Sequence, residues 1–97
     1  MQSQLFKPSP RMTFETVQAD CQRLHKFCHE NQNSELNIDV SEVNHCDSAG
    51  LALLIEARRL SSLQNKICKI IGMSKSIQAL AEFCGVEEML GQFDDKQ

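Results

Sequence analysis

The segment NIDVSEVNHCDSAGLALLIEARRL, residues 37–60, carries two hydrophobic periodicities separated by a polar turn, and these decide the fold. Leu36, Ile38 and Val40 alternate with Asn37, Asp39 and Ser41, the spacing of a strand with one covered face and one more polar face. After the connecting residues Glu42 to Asp47, the run Ser48 to Gln64 changes to helical spacing. There Leu53, Ala57 and Leu60, with Leu54 beside them, turn inward together. The turn between the two, His45-Cys46-Asp47-Ser48, raises three readings: catalysis, metal binding and partner contact.

Working outward, Ser3-Gln4-Leu5-Phe6 reads as a short strand that the prolines of Lys7-Pro8-Ser9-Pro10 stop. From Thr13, a candidate N-cap, Phe14, Val17, Cys21, Leu24 and Cys28 recur at three- and four-residue steps and predict an amphipathic helix. The polar run His29 to Ser34 ends it. On the other side, Ile67 to Ile71 is a β-branched strand closed by Gly72. Ser74 caps a third helix whose face holds Ile77, Leu80, Ala81 and Cys84, and Gly85 stands where a left-handed residue ends a helix. Val86, Met89 and Leu90 make a last amphipathic turn. Strands alternating with helices predict one α/β domain over residues 1–97, a mixed, partly parallel sheet of about four strands with helices packed on it.

Composition narrows the function. With 41% hydrophobic and 24% charged residues the chain has the balance of a folded domain. A net charge of −3 with scattered Lys and Arg lacks the clustered positive charge that nucleic acid requires, so no nucleic-acid partner is expected. No stretch approaches the roughly 18 apolar residues of a membrane helix, and the first residues have no apolar leader core; a cytoplasmic protein without membrane insertion is expected. The five cysteines are odd in number and irregular in spacing, which favours free thiols.

Ser48, between a loop and a helix, is a natural cap for that helix. Gly50 in the first turn costs about 1 kcal/mol relative to alanine, so something must approach closely there. A phosphate on Ser48 would sit well at a helix start, although Asp47 would repel it. At about 100° per residue, Ser48, Leu51, Ala52, Ile55 and Arg59 form a stripe opposite the core stripe. Either another helix of the domain covers Leu51 and Ile55, or a partner does.

Residues 37–60 resemble the central segment of STAS domains, where a strand ending in Asp-hydrophobic-Ser leads into Asp-Ser-x-Gly at a helix start; Asp39, Ser41, Asp47, Ser48 and Gly50 match. Arg11-Met12-Thr13-Phe14-Glu15-Thr16-Val17-Gln18 further resembles the Leu-Thr-Phe-x-Thr-Val segment of the MlaB-type subunit of the Mla phospholipid-transport ABC system. The chain departs from the family at His45 and Cys46, where apolar residues are common, and in its short, proline-interrupted N-terminal strand region.

The resemblance implies a compact α/β module that is not an enzyme. It implies a subunit that binds and stabilises or regulates the ATPase of a Mla-like transporter maintaining outer-membrane lipid asymmetry, held peripherally at the inner membrane through that partner. The expected contact face is Asp47, Ser48, Ala49, Gly50, Leu51, Ala52, Ile55 and Arg59. The alternative is an anti-sigma-factor antagonist switched by phosphorylation of Ser48.

Sharper chemistry fares worse. Cys21, His25, Cys28 and His29 could present two thiols and two imidazoles on one helix, but Cys21 and Cys28 fit the core stripe, so no metal is expected. His45, Asp47 and Ser48 are the residue types of a hydrolase triad, yet contiguous side chains in a turn diverge and the Gly-x-Ser-x-Gly elbow is missing. No glycine-rich phosphate loop is present, and neither a catalytic residue nor a cofactor is expected.

Overall fold

A computed structural model describes residues 5–90. In chain order the elements are β1 (Leu5–Phe6), β2 (Arg11–Met12), α1 (Val17–Glu30), β3 (Glu35–Asp39), β4 (His45–Cys46), α2 (Ser48–Leu63), β5 (Ile67–Ile71) and α3 (Lys75–Cys84). The architecture is α/β, as expected. Residues 3 and 4 of the predicted first strand lie outside the described residues.

Among the described residues every strand pair is parallel, and the strands form two sheets, ordered β1-β3-β5 and β2-β4. This refines the expected single mixed sheet, and the cause is local. The N-terminal segment and the segment after α1 run side by side twice: Leu5 and Phe6 pair with Asn37 and Ile38, then Arg11 and Met12 pair with His45 and Cys46. Between the two pairings both segments are interrupted. Pro8 and Pro10 break the first, since proline has no amide for a ladder. A turn breaks the second, where the Val43 amide donates to Val40 O at 3.0 Å and the Ser41 amide to Asp39 Oδ1 at 3.0 Å. The strand β4 was not legible in the sequence, because two residues cannot display a period.

Parallel neighbours need crossover connections, which α1 and α2 supply. The sequence pattern of β3 holds: Leu36, Ile38 and Val40 are buried. They meet Leu24 and Cys28 of α1, Leu53, Leu54 and Ala57 of α2, and Ile70 of β5 in one core. Ile77 and Ala81 of α3 complete it, and Leu90 seals its C-terminal edge. Both predicted ends of α3 are present: Ser74 Oγ accepts the Ile77 amide at 3.1 Å, and Gly85 sits at φ 74°, with the Val86 amide returning to Ala81 O at 2.9 Å.

The start of α1 differs from expectation. Residues 13–16 form a turn in which Thr13 O accepts the amides of Thr16 and Val17, at 2.9 and 2.8 Å, and the helix begins at Val17 with Thr16 before it. The Thr16 hydroxyl accepts the Thr13 amide at 3.1 Å, so Thr13 is no N-cap. Phe14, expected on the core stripe, is 73% exposed. Asp20 takes an inner place instead. Its carboxylate accepts the Ser9 amide at 2.9 Å, the Ser9 hydroxyl at 2.8 Å and Arg23 at 2.9 Å, which fastens the proline loop to α1. Burial works to raise the Asp20 carboxyl, but the hydrogen bonds from Ser9 and Arg23 outweigh it and hold the pKa below the usual value.

Candidate functional site

The turn into α2 is organised by Asp47, not by Ser48. Asp47 has extended backbone (φ −116°, ψ −170°), and its Oδ1 accepts the Gly50 amide at 3.1 Å. That makes Asp47 the N-cap and moves Ser48 to the first helical position, a correction to the reading of Ser48 as the cap. The second oxygen, Oδ2, accepts the Phe14 amide at 3.1 Å from the turn before α1. One carboxylate therefore caps α2 and ties down the Phe14 turn. Partial desolvation pushes the Asp47 carboxyl upward, but the amides of Phe14, Gly50 and Ala49 prevail and hold it below the usual range. Asp47 is thus a negative charge at a helix N-terminus, where the macrodipole favours one.

Because Asp47 serves the backbone, the Ser48 side chain is released from capping and stands exposed. The rest of the expected contact face divides. Ala52 and Arg59 are exposed, Ala49 and Ile55 are partly buried, and Gly50 and Leu51 are sealed inside the domain. Leu51, at 2% exposure, cannot touch a partner. It belongs to the same core as Ile77 and Ala81 of α3, and α2 packs on α3, so a helix of the domain covers this part of the stripe. Gly50 is buried for the reason its position suggested. A Cβ there would run into the Met12 carbonyl of β2 and lie 2.9 Å from Cys46 Sγ. Arg59 is engaged within its own helix, its Nε and Nη2 donating to the Glu56 carboxylate at 2.8 and 2.7 Å.

What replaces the sealed residues comes from α1 and the turn before it. Val17, Gln18, Cys21 and Gln22 face Ala52, Leu53 and Glu56 across an open, mainly apolar groove of about 400 Å³ between the two helices. Phe14, exposed and with its backbone amide tied to Asp47 at the start of α2, lies in the turn three residues before Val17, the first α1 residue of that groove. Around the Asp47 cap the exposed side chains thus include Phe14, Ser48 and Ala52, and Ala52 also lines the groove with Val17 and Cys21 of α1. Periodicity missed Phe14 because it fits the α1 stripe numerically. The signal that could have found it was the Thr-x-x-Thr pair at positions 13 and 16, which favours a local turn over a helix start.

Among the described residues, neither His45 nor Asp47 hydrogen-bonds the Ser48 hydroxyl; His45 Nδ1 lies 2.8 Å from Asn44 Oδ1. The three residue types of a triad are adjacent in sequence without acting on one another. Burial, with the Asp47 and Cys84 charges behind it, pushes the Cys46 thiol up to about 11, so it is no ready nucleophile. The four residues once grouped as a helical metal face also separate. Cys28 is sealed in the core, and His29 lines a different recess with Asn31 and Lys66.

No helix among the described residues is long and apolar enough to cross a membrane. Residues 10–91 match the family model described as "Mlab, STAS domain", which covers both the Phe14 turn and the whole of α2. No curated protein matches the chain.

Proposed function

The chain belongs to the STAS domain family, of MlaB type, and from that premise we propose that it is a non-enzymatic cytoplasmic subunit that docks on the ATPase of a Mla-like ABC transporter. It would stabilise or regulate that ATPase in the phospholipid transport that maintains outer-membrane lipid asymmetry, and reach the inner membrane only through its partner. The observation that carries this reading is the release of Ser48 from capping. Asp47 performs the structural task, so the exposed hydroxyl, the tethered Phe14 ring and exposed Ala52 are left without a role inside the monomer.

The contact face is then Phe14, Ser48, Ala49, Ala52 and the Val17 edge of the groove, with Ile55 contributing its uncovered part. Apolar burial at about 25 cal/mol per Å² supplies most of the drive, and the Ser48 hydroxyl fixes register. Arg59 lies at the rim of this face, where a charge tunes association more than affinity.

Co-purification of the tagged chain with the ATPase subunit tests the reading. Wild type should retain the ATPase, whereas Phe14→Ala and Ala52→Arg should lose it without loss of fold. If retention instead follows a kinase-dependent mass increase at Ser48, with an anti-sigma factor as the protein bound, the phosphorylation switch replaces the transporter reading.

A further inference from the structure

Cys21, His25 and Glu56 form the one group among the described residues with three metal-ligating side chains drawn together, their donor atoms all within 4.8 Å of one another. Cys21 and His25 stand one turn apart on α1, and Glu56 reaches them from α2. His25 Nε2 is already 2.9 Å from Glu56 Oε2. We propose that this seam between α1 and α2 is a binding site for a divalent transition-metal ion of the zinc class, held by the Cys21 thiolate, the His25 imidazole and the Glu56 carboxylate.

The donor set selects the ion. Thiolate with imidazole favours Zn²⁺ and its neighbours, whereas Ca²⁺ and Mg²⁺ prefer oxygen donors. With bonds of about 2.0–2.3 Å, a tetrahedral ion spaces its donors roughly 3.3–3.7 Å apart. The His25–Glu56 pair stands at 2.9 Å and no donor pair is more than 4.8 Å apart, so side-chain adjustments on the order of 1 Å close the site.

The surroundings suit a three-ligand site with an open fourth position. The His25 side chain is 48% exposed and that of Glu56 is 23% exposed, which leaves an entry path and room for a water ligand. The carboxylate is oriented in advance: Arg59 Nε and Nη2 hold Glu56 Oε1 and Oε2 at 2.8 and 2.7 Å, and Oε2 also faces His25 Nε2 at 2.9 Å, a contact that the ion would replace by taking both atoms as ligands. On binding, the Cys21 S–H bond gives way to a metal–sulfur bond and the thiol proton leaves to solvent; no electron is transferred. The ion would clamp α1 to α2 beside the apolar groove, since Cys21 and Glu56 also line that groove. The site does not depend on the docking reading.

Titration of the reduced full-length protein with Co²⁺ tests the proposal, because cobalt in a tetrahedral thiolate site absorbs in the visible and near ultraviolet. The expected result is a thiolate-to-cobalt charge-transfer band that saturates at one ion per chain and is bleached by Zn²⁺, which binds more tightly. Cys21→Ser should abolish the band, His25→Ala and Glu56→Gln should weaken cobalt binding by about tenfold or more, and Cys84→Ser should leave it intact. Zn²⁺ should also raise the melting temperature of wild type but not of Cys21→Ser. Absence of the band in wild type, or its persistence in Cys21→Ser, would overturn the site and leave the docking reading untouched.

Discussion

Asp47 Oδ2 accepts the backbone amide of Phe14 at 3.1 Å, a bond that spans 33 positions of sequence and joins the turn before α1 to the start of α2. Because Oδ1 of the same carboxylate takes the Gly50 amide, one residue sets both a helix start and the position of the exposed ring beside it. Asp47→Ala should therefore lower the melting temperature and also release the Phe14 turn. Amide hydrogen exchange checks this: protection at Phe14 and at Gly50 should fall together, while protection in α3 stays as in wild type.

Gly50→Ala should destabilise the fold by about 1–3 kcal/mol, the usual penalty for overpacking. The added methyl meets the Met12 carbonyl, which is backbone and part of the β2-β4 pairing, so it cannot swing aside as a side chain would. Urea unfolding of the variant against wild type measures the loss, and an unchanged midpoint would show that the strand does not press on the helix.

Asp20 gives the chain an acid-sensitive element. Its carboxyl holds its proton less tightly in the folded state than in the unfolded chain, so its contribution is present in full above the unfolded value of about 3.9 and fades as the pH falls through the lower folded value. Asp20→Asn should cost about 1–3 kcal/mol near neutrality, because the Ser9 amide and hydroxyl lose a charged acceptor. Denaturation midpoints taken across the acid range should show the gap between variant and wild type shrinking as the pH falls below the unfolded carboxyl value of about 3.9. A gap that stays constant with pH would remove the carboxylate as its cause.

Leu51 and Ala52 are neighbours with opposite tasks. Leu51→Ala should cost about 2–5 kcal/mol, as for any leucine cut from a packed core. Ala52→Arg, on the exposed side of the same turn, should leave the unfolding midpoint within about 0.5 kcal/mol of wild type. Paired melting curves check the contrast, and similar losses in both would show that the two side chains share one environment.

The central segment was legible because its two periods are long enough to count: Leu36, Ile38 and Val40 are buried, as are Leu53, Leu54, Ala57 and Leu60. The ends of α3 were legible because serine and glycine have specific backbone uses there. What failed were decisions between neighbours. Asp47 and Ser48 are both good caps, and only the tertiary position of the Phe14 amide, unseen in sequence, favours Asp47. Leu51 was placed on an outer stripe by angle alone, but α2 is enclosed by α1, β3, β5 and α3, so its buried arc is wider than one core stripe. The seam of Cys21, His25 and Glu56 was half legible: α1 gave two donors, and the third needed the packing of α2.

The docking face is tested most directly by the dissociation constant of the ATPase subunit for the Ala52→Arg variant, measured beside its melting temperature. A bulky charge on the groove side of α2 should weaken binding by about a hundredfold or more while the fold melts as wild type does. An affinity within about twofold of wild type, in a variant shown to be folded, would contradict a partner seated at the start of α2.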